Sequence, residues 1–97
     1  MLPSQVASDY KIKKVIVNDK RDKLIVVMDI IAFNRKFEEW FYIDVNGKID
    51  DDIEKTEWVC KAIYLKDYNY TQNQNIKLTK ETKKEILDVI KCEKKQE

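Results

Sequence analysis

Hydrophobic and polar residues alternate along most of the first half of the chain. From Tyr10 to Asn18, Tyr10, Ile12 and Ile16 fall on one side and Val15 and Val17 on the other, which predicts a strand. Asp19 to Asp22 form a polar turn. Lys23 to Phe33 is the most apolar stretch, β-branched and apolar on both faces, and predicts a central strand covered on each side. Asn34 and Arg35 then turn the chain. In the run from Lys36 to Val45, Phe37, Phe41, Ile43 and Val45 share one side, while Glu38, Trp40, Tyr42 and Asp44 share the other.

Asn46-Gly47 follows, the only glycine in the chain and a strong type I′ hairpin signal. It predicts that Lys48 to Ile53 returns as a fourth, charged edge strand. Residues 54–68 fit two patterns. Alternation places Trp58, Cys60, Ala62 and Tyr64 on one face, whereas a helix gathers Val59, Ala62, Ile63 and Lys66; the Trp, Val, Ile and Tyr content tilts the reading to strand. Residues 67–75 read as a polar loop and Ile76 to Leu78 as a short strand. Thr79 suits an N-cap, with Glu81 in the first turn, although Thr82 and Glu85 also have capping-box spacing. Ile86, Leu87 and Ile90 form an apolar stripe at helical spacing, followed by Lys91, Lys94 and Lys95.

These elements predict an α+β fold: an antiparallel β-meander of about four to five strands with one C-terminal amphipathic helix packed on it. The 97 residues suit a single domain spanning 1–97, with an irregular lead-in at 1–9 and a frayed tail at 92–97. No N-terminal leader pattern is visible, and the apolar stretch Leu24 to Phe33, interrupted by Asp29, is about half the length that spans a bilayer. No membrane association is therefore expected, and a cytoplasmic protein with two reduced cysteines, Cys60 and Cys92, is.

Charge adds a feature that hydropathy hides. The net charge is only +1, yet residues 38–57 carry −6 between flanks of +4 and +3. Missing residue types narrow the chemistry. The chain has no histidine, and Ser4 and Ser8 are its only serines, so a hydrolase triad lacks its parts. One glycine leaves no phosphate-cradling loop, and two isolated cysteines without histidine make no standard zinc site. Neither an enzyme nor a cofactor or metal is expected. Asp44 to Asp52 superficially suggests a calcium loop, but Gly47 stands at the fourth position from Asp44 and not the sixth. Asp29, interrupting an apolar strand, reads as a structural group more than a functional one.

Three groups of residues suit binding. The acidic block offers Glu38, Glu39, Asp44, Asp50, Asp51, Asp52 and Glu54, a surface for a basic partner. Trp40 and Tyr42 share a predicted face with Glu38 and Asp44, and Trp and Tyr are enriched among interface hot spots. Tyr64, Tyr68 and Tyr70 lead into an Asn/Gln-rich segment with the composition of adaptable recognition loops. Lysine clusters at Lys11-Lys13-Lys14, Lys20-Arg21 and Lys80-Lys83-Lys84 support a weaker alternative, binding of nucleic acid or a small nucleotide; arginine occurs only at 21 and 35. A homo-oligomer pairing through a sheet edge or the helix is a third possibility. In size, composition and lack of catalytic residues the chain resembles the small accessory proteins of phages and mobile elements. That resemblance implies an inhibitor or adaptor that occludes a host protein, such as a CRISPR effector or another nucleic-acid-binding defence enzyme with a basic surface.

Overall fold

The computed structural model describes residues 2–95. Five strands form one antiparallel sheet in the order β1-β2-β3-β4-β5: β1 Asp9–Val17, β2 Lys23–Ala32, β3 Arg35–Val45, β4 Trp58–Leu65 and β5 Tyr70–Lys77. A helix, α1 Lys80–Lys95, follows. The chain is thus an α+β meander with a C-terminal helix. Each strand pairs with its neighbour in sequence, so short turns close most of the sheet.

One face of the sheet is the core. Leu24, Val26 and Ile30 of β2, Phe37, Ile43 and Val45 of β3, and Trp58, Cys60, Ile63 and Leu65 of β4 are buried there, with Ile86 and Ile90 of α1. Thr79 caps the helix as expected, its Oγ1 accepting the Thr82 N–H at 3.2 Å. The helix is latched to the loop before β4 by Lys83, a buried lysine. Its Nζ donates to the carbonyls of Ile53 at 2.6 Å and Thr56 at 2.8 Å. At its other end the Glu93 carboxylate accepts the Val15 N–H of β1 at 3.2 Å.

Several expectations need correcting. Lys48 to Ile53 is not a strand: residues 46–57 form a chain of turns that buries Ile49 and Thr56, and Asn46-Gly47 only opens it. Gly47 is required here for another reason. Its φ is +112°, and a Cβ would lie 2.8 Å from Asp51 Oδ2, which accepts the Lys48 N–H. The two-residue hairpin falls instead between β2 and β3, at Phe33 and Asn34, both with positive φ. Residues 70–75, assigned to loop, are strand and run on into Ile76 and Lys77, which were read as strand, to make the edge strand β5. The lead-in is an ordered 3-10 turn, Pro3–Val6, with Leu2 and Pro3 buried, and helix continues through Lys95. Residues 96 and 97 lie outside the described residues.

Candidate interaction face

The second face of the sheet carries no helix, and the pairing register lays its residues out in rows. Directly opposed residues point to the same side. One row runs Lys14, Val27, Trp40, Tyr64, Thr71 across all five strands. The next runs Ile16, Ile25, Tyr42, Ala62, Asn73. On either side lie Lys11, Asp29 and Glu38, and then Lys23, Asp44, Val59 and Lys77. The centre of this face is therefore aromatic and aliphatic, and its border is charged. Trp40 and Tyr64 meet edge-to-face with ring centroids 6.2 Å apart.

Tyr64 reaches this face because of a bulge. Strict alternation would put it with Trp58 and Cys60, as the sequence suggests. The register shifts between Cys60 and Ala62, so Trp58 and Cys60 stay in the core while Ala62 and Tyr64 turn to the open side. No turn residue marks this position in the sequence; Lys61 occupies it. A second bulge between Ile12 and Lys14 similarly turns Val15 into the core.

Each border carboxylate has a lysine beside it. Glu38 accepts the indole N–H of Trp40 at 2.8 Å and the Lys13 ammonium at 3.0 Å, and Lys66 lies 3.4 Å away. The Trp40 hydrogen bond first, then Lys13, hold the Glu38 carboxyl down at about 2. It stays ionised throughout the physiological range and fixes the indole edge. Asp29 sits 3.9 Å from Lys36, and Asp44 4.0 Å from Lys23. Asp29, the anomaly in β2, is thus a partly covered group on this face with a lysine beside it.

The acidic block of the sequence does not assemble into one surface. Glu38 and Asp44 border the open face with Trp40 and Tyr42. Glu39 is completely buried on the opposite side, its Oε2 accepting the Ser4 N–H at 2.8 Å and its Oε1 without a hydrogen-bond partner among the described residues. It anchors the N-terminal 3-10 turn and offers nothing to a partner. Asp50, Asp51, Asp52 and Glu54 belong to the loop at the sheet's end. There Asp50 forms a two-point ion pair with Arg21, Asp51 and Asp52 bond loop N–H groups, and Glu54 pairs with Lys80 of α1. Tyr68 stands at the opposite end of the sheet, beside Phe37 and the Arg35 guanidinium. Tyr70 is opposite Leu65, so it belongs to the edge of the covered side.

The sequence groups Tyr64 with Tyr68 and Tyr70, and the bulge hides its place beside Trp40. Phe33 was missed as a surface residue: it was read as the end of an apolar strand, yet it is 70% exposed at the hairpin tip with φ +54°. A bulky residue in that conformation is unusual. Its signal was available in the pairing of Phe33-Asn34 with a strand on each side.

Among the described residues no group of three or more His, Cys, Asp or Glu side chains is placed to hold a metal ion, and no helix is long and apolar enough to cross a membrane. No family model, curated protein or solved structure matches the chain.

Proposed function

We propose that the protein acts by binding another protein across the open face of its sheet, as a non-catalytic inhibitor or adaptor. The observation that carries this reading is the group of half-buried aromatics Trp40, Tyr42 and Tyr64 at the sheet centre, with no helix over it and bordered by carboxylates that each have a lysine beside them. Aromatic anchors inside a polar rim are the arrangement of interface hot spots. The exposed carboxylates of Asp51 and Asp52, near the Asp44 end, favour a partner with basic groups at that edge. A host defence protein that handles nucleic acid, occluded by a phage or mobile-element product, fits that partner chemistry.

A second reading, single-stranded nucleic acid, has Lys11 and Lys14 in its favour, since both stand in the rows of this face. Against it, Asp29, Glu38 and Asp44 stand in the same rows and repel phosphate.

The test is affinity capture from nuclease-treated bacterial lysate, run in parallel with wild type and the variant Trp40→Ala/Tyr42→Ala. A stoichiometric protein retained by wild type and lost from the folded variant is the expected result. Equal retention by both contradicts the reading. Salt-steep binding of a single-stranded oligonucleotide, with no protein retained, favours the second.

A further inference from the structure

The covered side of the sheet is not fully closed. The N-terminal 3-10 turn packs on β2, and α1 approaches β1 more closely than it does any other strand. Between these two coverings lies a cavity of about 330 Å³. Its floor is the middle of the sheet, where Val26 and Ile43 are buried but Met28 and Phe41 are only partly so. A residue at the centre of a helix-covered sheet face is normally sealed by the layer above it; Met28 and Phe41 are not, because the gap opens over them.

The lining surface is mostly apolar and opens to solvent on one side, so it leaves apolar area against water, which is unfavourable. Water gains little in such a space, because it needs two or more polar partners. Polar groups interrupt the lining, among them Gln74, Thr82 and Lys77, whose ammonium is held by Glu57 at 3.1 Å. At the rim Tyr10, about half exposed, places its hydroxyl 2.9 Å from both carboxylate oxygens of Glu85. The Glu85 carboxylate raises the Tyr10 pKa by accepting this hydrogen bond and by its charge. The phenol therefore stays a donor to Glu85. On the β5 side Ile76, 57% exposed, brings an uncovered apolar side chain to the cavity wall.

We infer that this cavity is a binding site for a small apolar molecule with one uncharged hydroxyl end, the chemistry of a medium-chain alcohol. Size, wall and rim each contribute. A cavity of about 150 Å³ accommodates benzene, so this one holds roughly a dozen non-hydrogen atoms. It also falls within the range of small-molecule sites. The apolar wall takes the chain. Glu85 accepts a hydrogen bond from a hydroxyl at the rim and repels a carboxylate. The site is on the opposite side of the sheet from the proposed protein-binding face, and each stands or falls without the other.

The test uses 1-decanol and decanoate with the full chain carrying methyl-¹³C methionine. The sequence has two methionines, Met1 and Met28, and Met28 lines the cavity. 1-Decanol is expected to shift the Met28 methyl signal saturably. Decanoate should bind at least tenfold more weakly, and Glu85→Gln should narrow that gap. Ala7→Phe, which puts a ring into the cavity, should abolish binding. Should that variant not fold, the wild-type cysteines decide. Cys60 lines the cavity and Cys92 is exposed, so bound 1-decanol should slow alkylation of Cys60 at least fivefold and leave Cys92 unchanged. An unmoved Met28 signal, an unprotected Cys60, or binding retained in folded Ala7→Phe overturns the site.

Discussion

Phe33 occupies a backbone conformation that costs an ordinary side chain roughly 1–2 kcal/mol, and it gains little burial in return, being 70% exposed with φ +54°. Asn34 beside it adopts the same region at φ +57°, where asparagine is at home. A two-residue turn that tolerates strain and exposes an aromatic ring is better suited to contact than to folding. Phe33→Asn is accordingly expected to raise stability by about 1 kcal/mol, read by urea denaturation. If Phe33 touches the partner, the same variant weakens capture. A loss of stability would show that the ring is held by contacts that the exposure does not reveal.

At the scale of elements, the strands were legible wherever one face is buried. The alternation of Phe37, Phe41, Ile43 and Val45 against Glu38, Trp40, Tyr42 and Asp44 is the burial and pairing pattern of β3 itself. Residues 70–75 were illegible because β5 is an edge strand whose side chains mostly face water: Tyr70, Thr71, Asn73 and Asn75 are all exposed. Its place is set by backbone pairing with β4, which imposes no hydrophobic period. Loop 46–57 failed in the opposite way. Asn46-Gly47 has hairpin chemistry, but the chain is held by groups distant in sequence: Ile49 N–H on the Arg21 carbonyl, and Lys83 on Ile53 and Thr56. The same loop took Asp50 to Asp52 away from the aromatic face, and only the fold shows that. Lys83→Met would leave both carbonyls without their charged donor. It is expected to cost about 2 kcal/mol and to speed amide exchange across 46–57. Unchanged stability would mean that water or a neighbour replaces the lysine.

For the whole molecule, one sheet separates two different environments. The covered side holds the core and a mostly apolar cavity between the 3-10 turn and α1; the open side holds aromatic residues within a charged border whose carboxylates each have a lysine beside them. The two tryptophans report on these sides separately. Trp40 lies at the centre of the open face with its indole N–H on Glu38, while Trp58 is 1% exposed in the core. The decisive measurement is therefore the pair of ¹⁵N-labelled indole signals, followed as the captured partner is titrated in. The Trp40 signal is expected to move or broaden while that of Trp58 stays in place. A stationary Trp40 signal, with the amides of Asp50 to Asp52 shifting instead, would contradict binding through the open face and return the acidic loop as the site of contact.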